Sequence, residues 1–191
     1  MIGCIYEFVM IMKKIPGSRP LVFFLSSIPY IIIPLALLYL LGINGNAYLH
    51  RMEAKGYTPL LPLVIIFSLW INDTMAYLVG SLIGKTPFSK ISPKKTWEGT
   101  LGGVILCVIS MALLGPKFSG EPALSALDWI LIALICSFFG TAGDLLESKL
   151  KRLANIKDSG SFMPGHGGFL DRFDSMLVAT PFVWLYVQFF L

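Results

Sequence analysis

Residues 143–175 hold five acids, five Lys or Arg, one His and five Gly. Charge of both signs interleaved with glycine suits a phosphate-bearing substrate gripped through a metal ion. Hard Mg²⁺ is typically held by one or two carboxylates plus substrate phosphate oxygens. Asp144, Asp171 and Asp174 are the carboxylates suited to that task. The last two are three residues apart and share a face if helical, with Arg172 beside them. Lys157-Asp158-Ser159-Gly160 and Pro164-Gly165-His166-Gly167-Gly168 predict a turn-rich loop whose glycines let backbone approach a ligand closely. Glu147 and Lys151, like Ser148 and Arg152, are spaced i, i+4 and predict a short charged helix. The Glu147–Lys151 pair then reads either as part of a site or as surface support worth roughly 0.2–0.5 kcal/mol. His166 has no HExxH-type partner, so zinc is not expected. Its polar, glycine-flanked setting fits catalysis and structure equally.

A second cluster reads KTPFSKISPKKTWEGTLGG over Lys85–Gly103. Ser92, Lys94, Lys95 and Thr96 can grip phosphate oxygens through charge and hydroxyl donors. A helix starting near Glu98–Thr100 would add free N–H groups facing an anion. The glycine spacing is not that of a Walker A loop. Lysines alone could be a membrane anchor, which does not account for the SPKKTWEG pattern. Asn72 and Asp73 interrupt an otherwise apolar run. An acid within a membrane span is costly and faces a polar cavity or a partner. A helix–helix hydrogen bond or buried ion pair is the plainer alternative to binding metal, nucleotide or a lysine. The run continues DTMAYLVGSLIGK, whose small residues permit close helix packing.

The elements that position these residues are membrane helices. The 191-residue chain is 55% hydrophobic and 14% charged, against about 25% charged in soluble domains, with mean hydropathy +0.75. An all-α, polytopic integral membrane protein of one domain, residues 1–191, follows. Five stretches approach the roughly 20 residues a span requires: Leu21–Leu41, interrupted by Pro29 and Pro34, Leu60–Gly84, Thr100–Leu114, Leu127–Gly143 and Met176–Leu191. With five spans, 12 Lys/Arg fall on the side of the N-terminus and both motif loops, and 3 on the other. That asymmetry places the motif loops in the cytoplasm. The net charge of +4 suits anionic headgroups or nucleotides. No basic helix or aromatic–basic interleaving marks a nucleic-acid binder. Cys4, Cys107 and Cys136 lie in apolar stretches and read as buried small hydrophobes. The first 14 residues have apolar residues before basic ones, unlike a cleaved signal peptide. They read as a short interfacial helix or the remainder of a longer membrane segment. No internal repeat supports a transporter using Asn72 and Asp73 as an ion site.

Ser148-x-Leu150-Lys151-Arg152-x4-Lys157-Asp158-x-Gly160 followed by Pro164-x-His166-Gly167-Gly168-Phe169-x-Asp171-Arg172-Phe173-Asp174 resembles the hallmark of the phosphatidate cytidylyltransferase (CDP-diacylglycerol synthase) family. Asn72-Asp73, Ala76-Tyr77, Gly80, Gly84-Lys85 and Ser92-Pro-Lys-Lys-Thr-Trp-Glu-Gly99 resemble its upstream motifs. Met163 replaces an expected Leu, Ile or Phe. The likeness covers roughly residues 60–180, the expected catalytic region. Residues 1–59 are an N-terminal membrane region that the resemblance reads as shortened. It implies transfer of the cytidylyl group of CTP to phosphatidate, with Mg²⁺ and room for a second, monovalent cation such as K⁺, in a homodimer at the inner membrane. Asp144 and Asp171 become the leading metal ligands, with Asp174 close by. Lys151, Arg172 and His166 join the catalytic set, with Lys94, Lys95, Lys151, Arg152 and Arg172 as candidate phosphate clamps. Asn72, Asp73, Ser92, Thr96, Ser148, Lys157, Asp158, Gly167 and Gly168 complete the substrate site. A CDP-archaeol synthase-like enzyme and an inactive, truncated member are the alternatives.

Overall fold

The structure, a computed structural model, describes residues 1–16, 25–45, 56–89, 91–118, 124–160 and 167–191. Its helices are α1 (Ile2–Lys13), α2 (Leu25–Ile43), α3 (Leu60–Ile83), α4 (Trp97–Phe118), α5 (Ala126–Leu153) and α6 (Leu170–Phe190). Helices α2 to α6 are long and apolar enough to cross a membrane, and the chain is an all-α membrane protein. The first expected span begins at residues 21–24, which lie outside the described residues. Within α2, Ile28–Ile32 forms a π-helical turn around Pro29. Proline has no N–H to donate, so the turn widens there and the helix continues. An isolated antiparallel bridge pairs Pro87 with Thr96.

Two elements extend further than their apolar residues suggest. The charged stretch after Gly143 is no separate helix, because α5 runs unbroken for 28 residues. At about 1.5 Å per residue that is roughly 42 Å, against a hydrocarbon core of about 30 Å. The last turns, with Asp144, Glu147 and Lys151, can therefore be charged without charging the bilayer interior. Helix α5 starts with Ser125 and Asp128 bonded reciprocally to each other's backbone N–H and stops where Asn155 turns to φ 54°. Likewise α6 begins at Leu170, six residues before the expected span, and so carries Asp171 and Asp174 in helical register.

Helix α3 packs most extensively on α4, and α5 on α6. Small residues set the α3–α4 distance. A Cβ on Gly99 would lie 2.7 Å from the Ala76 carbonyl oxygen and 2.8 Å from Gly80 Cα. One on Gly103 would lie 2.7 Å from Ala76 Cβ and 2.9 Å from the Asn72 carbonyl oxygen. These facing small residues give the close backbone approach common between membrane helices. Gly143 does the same for α5, since a Cβ there would lie 2.6 Å from the Asp174 carbonyl oxygen. The cysteines Cys4, Cys107 and Cys136 are all buried and free. Alternation of the helices brings the ends of α3 and α5 and the starts of α4 and α6 that flank the two motif stretches to one end of the bundle, where α1 also packs.

Gly103→Val is expected to overpack the α3–α4 contact at a cost of about 1–3 kcal/mol. Thermal unfolding in detergent checks this; an unchanged Tm would mean the helices are free to separate.

Candidate functional site

Helix α5 presents Asp144 and Glu147 one turn apart, and the first turns of α6 present Asp174. One oxygen from each of these three carboxylates lies within 4.8 Å of the others. Glu147 is 0% exposed and Asp174 is also buried. Glu147 Oε2 accepts a bond from Lys151 Nζ at 2.9 Å, while its Oε1 is buried without a partner among the described residues. Ser148 donates to Asp144 at 3.3 Å. Three converging carboxylates in this setting repel unless a cation or a bound proton offsets their charge.

Asp171 stands outside this trio. Its Oδ1 accepts from Lys151 Nζ at 2.5 Å. Its Oδ2 accepts from Gly168 N–H at 2.8 Å and Ser159 N–H at 3.0 Å, and Ser159 Oγ lies 2.8 Å away. Sitting at the start of α6, the carboxylate faces the loop amides. In this arrangement it organises the loop, and Glu147 completes the acid cluster with Asp144 and Asp174. Lys151 joins the two groups by bridging Glu147 and Asp171.

The 84–96 connection is a tight hairpin. Phe88 N–H donates to the Lys95 carbonyl at 2.7 Å and Trp97 N–H to that of Thr86 at 3.0 Å. The Phe88 and Trp97 rings stack edge to face at 4.4 Å. The Glu98 carboxylate accepts the Lys85 and Thr86 N–H groups, each at 3.2 Å. Thr96 Oγ1 accepts Gly99 N–H at 3.1 Å, so part of the α4 N-terminus is already capped. The hairpin carries Lys95 into an ion pair with Asp144. Between hairpin and bundle lies a cleft of about 430 Å³, lined by Ser92, Lys94, Lys95, Thr96, Asn72, Asp73 and Asp144. A second cavity of about 490 Å³ lies between α3 and α6. Asp73, Asp171, Arg172 and Asp174 stand in it beside the apolar Ile66, Trp70, Phe173 and Met176. Asp73 lines both cavities.

A model of the cytidylyltransferase family matches residues 2–190. The chain belongs to the cytidylyltransferase family. It is 41% identical over 123 residues to a phosphatidate cytidylyltransferase of Bacillus subtilis, covering 64% of this chain and 45% of that protein. The corresponding figures for the Aquifex aeolicus protein of that name are 43% over 124 residues, 64% and 45%. For the Helicobacter pylori one they are 50% over 107 residues, 56% and 39%. Each match spans less than half of the relative's own length. The family match reaches well into residues 1–59, beyond the motifs read from the sequence.

Within this cytidylyltransferase chain, the motif residues separate into groups. Asn72, Asp73, Ser92, Lys94, Lys95, Thr96 and Asp144 meet at the first cleft. Asn72 is buried and donates to Asp73 at 3.4 Å. Arg152 is exposed and donates to the Ile156 carbonyl at 3.3 Å. Lys157 and Asp158 are exposed. Gly167 adopts φ 80°, and a Cβ there would lie 2.7 Å from Asp171 Oδ2. His166 lies outside the described residues. Sequence spacing underrated Glu147, because i, i+4 to a lysine is equally the pattern of a solvated helix face. It did not single out Glu98, or Glu7, whose carboxylate enters the loop from α1. The signal for Glu7 is the one that marks Asp73: a single acid in an apolar helix.

Lys151→Met leaves two largely buried carboxylates without their cation. A loss of about 3–5 kcal/mol is expected, and the double variant with Glu147→Gln should recover part of it. Chemical or thermal unfolding of the four species checks this; additive losses would show that the pair is not coupled.

Proposed function

We propose that this chain transfers the cytidylyl group of CTP to phosphatidate, releasing pyrophosphate and forming CDP-diacylglycerol. The observation that carries the reading is the Lys95–Asp144 contact, which closes the hydroxyl- and lysine-bearing hairpin against the acid cluster. Anion grips and cation ligands thereby share one cleft. Names of the relatives supply the reaction class. The apolar walls of the second cavity suit the acyl-bearing substrate, and the first cleft suits the nucleotide.

Mg²⁺ fits the residues present. Asp144, Glu147 and Asp174 offer hard oxygen ligands. Glu147 Oε1 and Asn72 Oδ1 are buried acceptors without a partner among the described residues. Asp171, the other acid expected to bind metal, acts in this reading through Lys151 and the loop. A second, monovalent cation belongs to the same reading. When bound, Mg²⁺ offsets the negative charge that keeps two phosphate groups apart.

A phosphate oxygen of phosphatidate attacks the α-phosphorus of CTP. The bond from that phosphorus to the oxygen bridging the β-phosphate breaks, and pyrophosphate leaves with the electron pair. No covalent enzyme intermediate is needed. Ser92, Lys94, Lys95 and Thr96 hold the nucleotide phosphates, and Arg172 the lipid phosphate. The fixed charges of Lys94, Lys95 and Arg172 and the hydroxyl donors of Ser92 and Thr96 act where charge develops, and alignment of the two phosphates supplies much of the remaining rate. His166, Ser148, Arg152, Lys157 and Asp158 remain in the proposed site on the strength of the motif they form. The cytoplasmic orientation rests on the Lys/Arg asymmetry, and a homodimer completes the reading.

The test is incorporation of α-phosphate-labelled CTP into the lipid phase by the purified chain, with phosphatidate and Mg²⁺ or EDTA. Label should appear only with Mg²⁺. Asp144→Asn, Glu147→Gln and Asp174→Asn should each lower kcat on the order of 100-fold or more. Lys95→Ala should raise the KM for CTP about tenfold. Wild-type chain that labels no lipid with any divalent metal overturns the reading; preference for an isoprenoid ether lipid phosphate redirects it to an archaeol-type substrate.

A further inference from the structure

Helix α1 sits against the bundle through Cys4, Phe8 and Ile11, which join Ile31, Ala154, Leu170 and Leu177 in an apolar cluster. The spacing of those three α1 residues defines one helix face, and Glu7 lies within that buried region at 6% exposure. Its carboxylate accepts Phe169 N–H at 2.9 Å and Leu170 N–H at 2.8 Å. Those are among the amides that α6 leaves unbonded at its start. No side chain next to α6 in sequence caps them; the cap comes from more than 160 residues away.

The same carboxylate reaches the motif loop. Glu7 Oε2 lies 2.8 Å from Ser159 Oγ, which also faces Asp171 Oδ2. One hydroxyl proton thus stands between two carboxylates. A Cβ on Gly160 would lie 2.5 Å from Glu7 Oε1, and one on Gly168 would overlap both Glu7 and Ser159. Two glycines of the loop therefore make room for Glu7, where the sequence alone suggested room for a ligand.

We propose that Glu7 is a positioning residue of the cytidylyl-transfer site: it fixes the start of α6 and Ser159, and through them the Asp171–Lys151–Glu147 chain that reaches the acid cluster. The inference rests on the proposed function only for its kinetic consequence. Displacement of reacting groups by about 1 Å can cost 100-fold in rate, so loss of this cap should appear in kcat while nucleotide binding at the hairpin, which Glu7 does not touch, is retained.

The test compares the full chain with Glu7→Gln, Ser159→Ala and Ile11→Val, the last trimming the same docking face without touching the carboxylate. Amide hydrogen exchange is followed over residues 167–171, and turnover is measured with CTP and phosphatidate. Glu7→Gln should speed exchange at Phe169 and Leu170 on the order of tenfold. It should lower kcat at least about tenfold with the KM for CTP within about twofold. Ile11→Val should do neither, and Ser159→Ala should lower kcat with less effect on exchange. Unchanged exchange in Glu7→Gln overturns the proposal, as does an equal kcat loss in Ile11→Val, which would make α1 a stabilising helix only. If Glu7→Gln does not fold, wild-type kcat in Ser159→Ala overturns it. Wild-type chain without turnover refutes the proposed reaction instead, and the exchange measurement still decides the cap.

Discussion

Lys151 lies between Glu147 on its own helix and Asp171 on the next, and the site is arranged around that ammonium group. An unpaired charge buried among helices is strongly disfavoured. Lys151 therefore makes the docking of α6 on α5 and the placement of Ser159 and Gly168 against Asp171 parts of one electrostatic problem. Asp171 carries the solution outward to the loop amides. Glu147 carries it inward to Asp144 and Asp174. From Asp144 the chain of charge continues to Lys95 and the hairpin.

Such a chain needs backbone distances shorter than ordinary side chains permit. Gly143 lets α6 approach α5 closely enough for Asp174 to join Asp144 and Glu147. Gly99 and Gly103 let α4 lie against α3, which brings the hairpin over Asn72 and Asp73. In a membrane there is little hydrophobic force to drive helices together, so close van der Waals contact between small residues carries much of the association. The same contacts thus hold the bundle and set the size of its clefts.

The class of fold was legible because a bilayer demands long apolar stretches, and five are present among the described residues. Their ends were less legible. Hydropathy falls at Gly143 and rises at Met176, yet α5 continues to Leu153 and α6 begins at Leu170. Helical hydrogen bonding continues wherever backbone and caps allow it, whatever the polarity of the side chains. The hairpin residues that line the first cleft were readable from type and spacing. The tasks of individual acids were not, because a carboxylate's role depends on which donors face it. Asp171 faces two amides, a hydroxyl and a lysine, while Glu147 keeps one buried oxygen without a partner among the described residues.

Residue types and their order, with no tertiary information, determined a polytopic helical membrane protein with two polar motif loops on one side, since hydropathy and Lys/Arg asymmetry act locally along the chain. Only the tertiary structure decided that Glu147 stands with Asp144 and Asp174, that Lys95 closes onto Asp144, and that Glu7 caps a helix beginning at Leu170. Those are contacts between groups distant in sequence. They are set by how closely glycine-bearing helices approach and by the requirement that buried charges and open helix ends find partners.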